Sequence, residues 1–309
     1  MSEKKPWLTP PRHRIQEVMV VKKLTDPNRP IKFAELNLDG TIVRYAVTTP
    51  QCRWRVHTLF TKEPGTIDWI ESFQPGEVLV DVGANIGMYS IYAAVVSGAQ
   101  VYAFEPESQN YAELCRNIFL NEAHHDILAY CAAISDRPVE VSRLLLSALM
   151  VGDSFHDFGE PSRPYAAERR FPQGSIGFSL DHLVESGAIP APDHVKIDVD
   201  GHEHKAIGGM RALLGRGAIR TLLLECDASL PATRGMVESI LGHGYRLNPD
   251  QLRLSREGLR SAAAVMDDVK NGAFTGNMIF ARRAEDLAFA TRALGRFSAS
   301  DLDQMSLPA

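Results

Sequence analysis

From residue 77 onward, short apolar runs alternate with amphipathic segments. VLVDV, over residues 78–82, is a continuous run of mostly β-branched type, as expected for a strand buried on both faces. Residues 88–97 then have helical character and stop at Gly98. Because this alternation continues along the chain, it predicts a doubly wound, largely parallel α/β sheet.

Further strands and helices follow from the same alternation. The predicted strands cover residues 101–104, 127–134, 194–199, 220–226, 245–247 and 277–281. The predicted helices cover residues 109–121, 180–186, 203–214, 232–241 and 284–296. The helix over 109–121 has the clearest periodicity, because its apolar residues recur at spacings of three and four. The helix over 180–186 is expected to begin at a cap on Ser179 or Asp181.

The chain outside this alternation divides into extensions and an insertion. Residues 1–25 are expected to form a polar tail with at most one short helix over 15–23. Residues 26–75 predict a β-hairpin around the turn dipeptide Asp39-Gly40, followed by a helix over 66–73.

The main domain is expected over residues 76–283, and a C-terminal helix and tail over 284–309. Within the main domain, residues 136–175 are irregular in pattern and rich in Gly, Ser, Pro and Asp. Long excursions of this kind are usually functional or mobile, so a lid that could contain a hairpin is expected.

Composition agrees with an ordinary globular protein, since 45% of the 309 residues are hydrophobic and 23% are charged. A formal net charge of -5 gives no basic excess, so a nucleic-acid partner is not expected. The four cysteines lack C-x-x-C spacing and lie near apolar stretches, which suits a reducing compartment. The sequence shows neither a signal peptide nor an apolar run long enough for a bilayer, so we expect a cytoplasmic protein without membrane insertion.

The loop after the first predicted strand carries the most specific signal. Asp81 is followed by Gly83-Ala84-Asn85-Ile86-Gly87, which leads into the next helix. A glycine loop between a strand and a helix is typical of a cofactor-binding site. The first glycine lets the backbone approach a ligand, and the last lets the helix pack on the strand. Glu105 ends the next strand, where a carboxylate can accept hydrogen bonds from both ribose hydroxyls.

NAD and S-adenosylmethionine both satisfy this pattern. A carboxylate at Asp81 would repel a pyrophosphate but suits the ammonium group of a methionine moiety. Asn85 also stands where the second glycine of a dinucleotide-binding loop is required. Both residues favour S-adenosylmethionine over an NAD-dependent oxidoreductase. The intact loop argues against a third alternative, a non-catalytic binding module that keeps the fold alone.

Three segments together resemble the FkbM family of S-adenosylmethionine-dependent methyltransferases: VLVDVGANIGMYSIYAA, VYAFEPESQNYAELCRNIFLNE and HVKIDVDGHEHKAIGGM. The resemblance covers about residues 60–228 and implies a class I, Rossmann-like sheet of about seven strands with an antiparallel last strand. It also implies O-methylation of hydroxyls on sugars or secondary metabolites. The cofactor residues that it implies are Asp81, Gly83, Ala84, Asn85, Gly87, Glu105, Pro106 and, at the adenine amino group, Asp136.

The segment after the fourth predicted strand carries the candidate chemistry, because ligands of open α/β sheets bind at the carboxyl ends of strands. A hydroxyl has to lose its proton during methyl transfer, so a general base helps. The candidate catalytic residues are His202, Asp200, Asp198 and His204, and His202 is preferred narrowly as the base because it is nearer the strand end. The candidate acceptor contacts are Lys196, Glu203 and Glu225. The family pattern usually has Glu at position 200 and Ala at position 202, so these departures bear on the acceptor.

These candidates also have structural explanations. Glu203 could only stabilise the following helix, Lys196 could pair with a neighbouring carboxylate, and Glu225 could be a paired buried acid. The loop carboxylates could also hold Mg²⁺, as in catechol-type methyltransferases, although a metal is the less favoured alternative.

Two further expectations concern the acceptor side. The stretch WRVHTLFTKEPGTIDWI is similar to family members with an N-terminal extension, and it places Trp54, Glu63 and Thr66 at the mouth of the site. We expect a small-molecule or glycan acceptor, and oligomerisation remains open.

Overall fold

A computed structural model describes residues 14–20, 31–162, 171–247 and 262–287. The strands are β1 Arg14–Val20, β2 Ile31–Leu38, β3 Thr41–Ala46, β4 Val78–Val82, β5 Gln100–Phe104, β6 Ile127–Tyr130, β7 Ala133–Ile134, β8 Val139–Leu146, β9 Asp157–Phe158, β10 Phe171–Phe178, β11 His194–Ile197, β12 Thr221–Asp227, β13 Arg246–Leu247 and β14 Thr275–Ala281. The helices are α1 Pro50–His57, α2 Pro64–Glu71, α3 Met88–Ser97, α4 Ser108–Leu120, α5 Leu180–Glu185, α6 Glu203–Gly208, α7 Arg211–Arg216, α8 Pro231–Gly242 and α9 Ala262–Asn271, and a short 3-10 helix covers Ala284–Leu287.

A central sheet of seven strands has the order β13-β14-β12-β11-β4-β5-β6. Strand β11 pairs in parallel with β4 and β12, whereas β14 runs antiparallel to β12 and β13. The last strand therefore enters between two earlier strands in the opposite direction. This is the class I methyltransferase arrangement, and the predicted fold class is confirmed.

The apolar runs form the middle of this sheet because both of its faces are covered. All four residues of β11 are buried, and Leu79, Val80 and Val82 of β4 are at most 1% exposed. One hydrophobic cluster packs α2, α3 and the N-terminal hairpin against one face. A second cluster packs α5, α6, α7 and α8 against the other face. Because β12, β11, β4, β5 and β6 pair in parallel, their carboxyl ends meet at one edge of the sheet.

The predicted hairpin is confirmed by strands β2 and β3, which are joined at Asp39 and Gly40. Both residues have positive φ, 51° and 101°, as a two-residue hairpin turn of the favoured type requires. The expected helix over residues 15–23 is wrong, since Arg14–Val20 is a strand that pairs with β2. The pairing takes up backbone hydrogen bonds that the edge of the hairpin would otherwise present to solvent.

Two asparagines of α4 attach the hairpin to the main domain. The Asn117 side chain is fully buried, accepts a hydrogen bond from Ala46 N at 2.7 Å and donates one to Ile86 O at 2.7 Å. Asn121 Oδ1 accepts a hydrogen bond from Arg44 N at 2.8 Å. Asn117 and Asn121 thus join β3, α4 and the glycine loop.

The insertion is more regular than its composition predicts. Strands β8, β9 and β10 form a second sheet with β7, in the order β7-β10-β8-β9, and the suggested hairpin is confirmed. The prediction that Val139–Leu146 and Phe171–Phe178 are irregular is wrong, because both segments are strands. The predicted strand over 127–134 divides into β6 and β7, which belong to different sheets. Residues 163–170 lie outside the described part.

The remaining differences have local causes. The predicted helix over 203–214 is two helices, α6 and α7, separated by Gly209 and Met210. A Cβ atom at Gly209 would lie 2.0 Å from Ser135 O, so the chain passes close to that carbonyl between the helices. Helices α1 and α9 were not predicted from the sequence. Of the predicted helix over 284–296, only Ala284–Leu287 is described, as a 3-10 helix. No helix in the described ranges is both long and apolar enough to cross a membrane.

Candidate functional site

Two adjoining cavities open at the carboxyl ends of the central strands. The acidic cavity contains about 580 Å³ of empty space, and its lining includes Glu105, Pro106, Ile134, Phe158, Asp200 and His202. The basic cavity contains about 460 Å³, and its lining includes Trp54, Arg55, Thr58, Lys62, Tyr89 and Lys196. Gly83, Asn85 and Asp198 line both cavities, so these residues form the wall that the cavities share.

The glycine loop has the conformation that its sequence requires. Gly83, Asn85 and Gly87 have φ values of 78°, 52° and 82°. A Cβ atom on Gly83 would lie 2.0 Å from Asp198 O, and one on Gly87 would lie 2.3 Å from Leu114 Cδ1 of helix α4. Side chains at the two glycine positions would therefore push the loop from β11 and from α4.

Asn85 tolerates its strained φ because its side chain is held in place. Its Nδ2 donates a hydrogen bond to Asp153 O at 2.7 Å, and its Oδ1 accepts one from Ile86 N at 2.9 Å. Short polar side chains of this kind are those that adopt the left-handed region most readily. The loop is thereby connected to the segment around Asp153.

Glu105 is 4% exposed and faces the acidic cavity. Its Oε2 accepts a hydrogen bond from Asn85 N at 2.7 Å, and its Oε1 accepts one from Glu107 N at 2.8 Å. Burial raises the pKa of Glu105 to about 7, although both backbone N–H groups oppose the shift. Each carboxylate oxygen can still accept a second hydrogen bond, so the geometry suits a pair of ribose hydroxyls.

Asp81 is only 1% exposed and does not line either cavity. Its Oδ2 accepts a hydrogen bond from Ser90 Oγ at 2.6 Å, and its Oδ1 lies 3.8 Å from Lys196 Nζ. Burial raises the pKa of Asp81 despite this lysine. In this arrangement the carboxylate contacts the protein beneath the loop.

Lys196 is 2% exposed and already has charged partners. Its Nζ lies 3.1 Å from Asp198 Oδ2 and 5.2 Å from the centre of the Tyr89 ring. Burial alone would lower the pKa of Lys196, but Asp198 and Asp81 outweigh it and raise this pKa. Lys196 therefore pairs with neighbouring carboxylates, which is the structural explanation that the sequence offered for this residue.

Asp198, Asp200 and Glu225 form an acidic cluster in which one oxygen of each lies within 4.8 Å of the others. Asp198 raises the pKa of Glu225 to about 10, with burial as a second cause. Burial acts against ionisation of Asp198 too, but Lys196 and Lys62 hold its pKa at about 2. At neutral pH, Glu225 thus carries a proton and can donate it in a hydrogen bond to Asp198.

Asp200 has a strained backbone, with φ at 55°. Its Oδ2 accepts a hydrogen bond from Phe155 N at 2.7 Å, and Phe155 also has a positive φ of 65°. Burial, followed by the charge of Asp198, raises the pKa of Asp200 to about 6. The side chain therefore combines proton affinity near neutrality with a position in the acidic cavity.

The two predicted histidines have different surroundings. His202 is 7% exposed and lines the acidic cavity, and its Nε2 lies 2.9 Å from Asp157 Oδ1. Within the described residues, His202 Nδ1 is buried and has no hydrogen-bond partner. His204 is half-buried and does not line either cavity, and burial and His202 lower its pKa.

Glu203 is 5% exposed, and its Oε1 accepts hydrogen bonds from Val199 N at 3.1 Å and Gly201 N at 3.0 Å. Burial raises the pKa of Glu203 to about 7. Its visible role is therefore to shape the loop before α6. Asp136 is exposed and is not among the residues that line either cavity.

Sequence reasoning missed several residues of the site. Trp54 lines the basic cavity as expected, but its neighbours Arg55 and Lys62 were not singled out. Thr66 is buried, and Glu63 Oε2 accepts a hydrogen bond from Tyr89 Oη at 2.9 Å. Asp157, the partner of His202, lies in an insertion without a recognisable motif. The only available signal for Arg55 was its place in the stretch similar to extended family members.

Comparison with known proteins identifies the family of the chain. The model of the FkbM methyltransferase domain matches residues 81–247, which is more than half of the chain. The hexuronic acid methyltransferase AglP of Haloferax volcanii is 30% identical over 199 residues, which cover 62% of this chain and 74% of that protein.

Among solved structures, the precorrin-6y C5,15-methyltransferase of Geobacter metallireducens matches with a TM-score of 0.37 and 15% identity, over 60% of this chain and 72% of the other. TYW2 of M. jannaschii in complex with AdoMet matches with a TM-score of 0.35 and 15% identity, over 70% of this chain and 74% of the other. The family match and the AglP similarity identify the chain as a member of the FkbM methyltransferase family and as an S-adenosylmethionine-dependent methyltransferase.

Proposed function

We propose that this enzyme methylates a hydroxyl group of a sugar, with the acidic cluster beside the transferred methyl group. The observation that carries the proposal is that Asp198 lines both cavities and belongs to the acidic cluster. A ligand on the glycine loop would therefore lie next to side chains able to accept a proton. The similarity to a hexuronic acid methyltransferase supports a sugar as the acceptor.

The adenosine half of the cofactor fits the acidic cavity best. Glu105 would accept the hydrogen bonds of the ribose hydroxyls, and Ile134, Phe158 and Pro106 would contact the base. Gly83 and Asn85 line both cavities, so a cofactor that extends past them would have its methionine half in the basic cavity. Asp198 then lies near the positive sulfur and ammonium groups, and this attraction replaces the contact expected from Asp81.

The reaction needs alignment and one proton acceptor. S-adenosylmethionine supplies a methyl group that its positive sulfur already activates, so most of the rate enhancement comes from holding the acceptor oxygen in line. Two residues are candidates for the general base. His202 donates through Nε2 to Asp157, which leaves Nδ1 as a basic atom. Asp200 has a pKa of about 6, near the optimum for a base at neutral pH.

A metal-assisted reaction is the second candidate, because Asp198, Asp200 and Glu225 lie close enough together to ligate one ion. The surrounding charges oppose it. Lys196 and Lys62 neutralise Asp198, and Glu225 keeps its proton at neutral pH. A metal would have to displace that proton and compete with both lysines.

The acceptor can be tested with labelled S-adenosylmethionine and matched glycosides. Glucuronic acid glycosides and glucose glycosides would be compared, with catechol as the acceptor expected for metal-assisted chemistry. We expect label on a sugar hydroxyl and the same rate after treatment with a chelator. Transfer to catechol alone, or loss of all turnover on chelation, would replace the proposal with the metal-assisted alternative.

A further inference from the structure

The basic cavity contains two cations that the cofactor placement leaves without a role. Arg55 lies on α1, and Lys62 lies between α1 and α2. Both precede residue 81, where the family match begins. We propose that Arg55 and Lys62 bind the carboxylate at the methionine end of S-adenosylmethionine. This inference rests on the cofactor placement in the proposed function.

The arrangement of the cavities determines which end of the cofactor reaches these cations. The two cavities meet at Gly83, Asn85 and Asp198. With the ribose at Glu105, the amino-acid end would extend past these shared residues towards the basic cavity. That end carries one ammonium and one carboxylate group, so it needs partners of both signs.

The charges on the two sides match this requirement. Among the described residues, the acidic cavity has Glu105, Asp198 and Asp200 in its lining and no lysine or arginine. The basic cavity has Arg55, Lys62 and Lys196, with Asp198 as its acid. Lys196 is paired with Asp81 and Asp198, whereas Arg55 has no carboxylate partner among the described residues and the partly exposed Lys62 lies beside Glu63. Arg55 and Lys62 are therefore the cations that can still offer donors to an anionic group. Asp198 at the shared wall suits the ammonium group.

The side chain of Arg55 is held in place before any ligand binds. Its Nε donates a hydrogen bond to Gly152 O at 2.7 Å, and Gly152 N donates one to Asn110 Oδ1 at 2.7 Å. A guanidinium has five N–H donors, so four remain for other partners. The positive charge of Arg55 also acts on the site, since it lowers the pKa of Glu105 and of Asp200 against the effect of burial.

Lys62 lines the same cavity as Arg55 and is the second cation of the subsite. Its Nζ lies 2.6 Å from Glu63 Oε1, and its side chain is 43% exposed. An ammonium group has three donors, so this ion pair leaves two for a ligand. Because Lys62 is more exposed than Arg55, we expect it to contribute less to binding.

A carboxylate could also come from an acidic sugar acceptor, and a binding experiment distinguishes the two sources. Calorimetry would measure the affinities of S-adenosylhomocysteine and 5′-methylthioadenosine, which lacks the amino-acid end. The variants are Arg55→Met, Lys62→Met and, as a control, Arg53→Met, an exposed cation on the same helix that does not line either cavity.

We expect Arg55→Met to weaken S-adenosylhomocysteine binding about tenfold or more, and Lys62→Met to weaken it less. Binding of 5′-methylthioadenosine should stay unchanged in both, and Arg53→Met should bind both ligands as the wild type does. Loss of a cation cannot weaken the binding of an ammonium group, so this pattern assigns the carboxylate.

Two results would overturn the inference. Unchanged S-adenosylhomocysteine affinity in both variants would assign the cations to another ligand, such as an acidic acceptor. An equal loss for both ligands would show a general disturbance of the site. Failure of the wild type to bind S-adenosylhomocysteine would instead refute the cofactor placement itself.

Discussion

At the scale of single residues, the buried carboxylate of Glu105 links both the stability of the protein and its cofactor affinity to pH. Its pKa of about 7 lies above the ordinary value of 4.5 because burial penalises the charged form. An acid whose pKa is raised on folding destabilises the folded protein as pH rises from 4.5 towards 7. Ribose hydroxyls, however, need the ionised form as their acceptor. Without ligand, stability therefore falls over the pH range in which cofactor affinity rises.

The first prediction concerns this pH dependence. Wild-type affinity for S-adenosylhomocysteine should increase about tenfold between pH 6 and pH 8, because the ionised fraction of Glu105 increases by that factor. Glu105→Gln should bind about ten- to a hundredfold more weakly and lose most of the pH dependence. Glu238→Gln, an exposed control on α8, should match the wild type. Calorimetry at several pH values measures this, and an equal slope in Glu105→Gln would contradict it.

The second prediction separates chemistry from cofactor binding. Asp200→Asn and His202→Ala should keep cofactor affinity within a few-fold, and the variant that lacks the base should lose about 10²–10⁴ in turnover. Asp157→Asn tests the histidine specifically, because its carboxylate holds His202 Nε2. Turnover with an identified acceptor and calorimetry measure the two effects. Full turnover in all three variants would mean that positioning alone drives the reaction.

At the scale of elements, the attachment of the hairpin depends on one buried side chain. Asn117→Ala should lower the free energy of unfolding by about 2–4 kcal/mol, because Ala46 N and Ile86 O both lose a buried partner. Asn121→Ala should cost less, since its bonds are only partly buried. Urea unfolding measures both changes. A loss below about 1 kcal/mol for Asn117→Ala would contradict this role.

The insertion over residues 136–175 is expected to behave as a lid. Phe158 and His156 line the acidic cavity, and Phe155 N donates a hydrogen bond to Asp200, so a bound cofactor would contact this segment directly. Limited proteolysis should cut the apo protein first within this range, and S-adenosylhomocysteine should slow the cleavage. Equal cleavage rates with and without the ligand would argue against a lid.

The sequence predicts best those elements that have a single strong pattern. The strand Val78–Val82 and the helix Met88–Ser97 have the predicted bounds, because an apolar run and a terminal glycine mark them. The second sheet was missed because β8 and β10 mix apolar side chains with polar ones and glycines, and Val141 is 81% exposed. The division of 127–134 into two sheets depends on long-range pairing that no local pattern records.

The residues of the candidate site were also predicted best where a local sequence motif marks them. The loop from Gly83 to Gly87 and Glu105 lie together as the motif spacing predicts, since the ends of parallel strands share one edge. The pairing of Asp81 with Lys196 and of His202 with Asp157 depends on packing between distant segments. Arg55 on α1 and Lys62 between α1 and α2 reach the site from a segment that precedes the main domain.

At the scale of the whole molecule, the two cavities differ in charge, and the proposed cofactor would extend from one into the other. In the proposed placement, Asp198 between the two cavities lies near the positive centre of a sulfonium compound, and the basic cavity receives its carboxylate. A pyrophosphate would meet Asp198 at the shared wall and Asp200 beside it, so NAD is disfavoured by repulsion. This arrangement supports a cofactor that is positive at its centre and has a carboxylate at one end.

The most direct test of this account is a thermal unfolding comparison of the purified protein with S-adenosylhomocysteine and with NAD. Ligand that binds only the folded state adds about 2.7 kcal/mol of stability at a hundred times its dissociation constant. We predict a clear rise in Tm with S-adenosylhomocysteine and no change with NAD. A rise in Tm with NAD and none with S-adenosylhomocysteine would contradict the account.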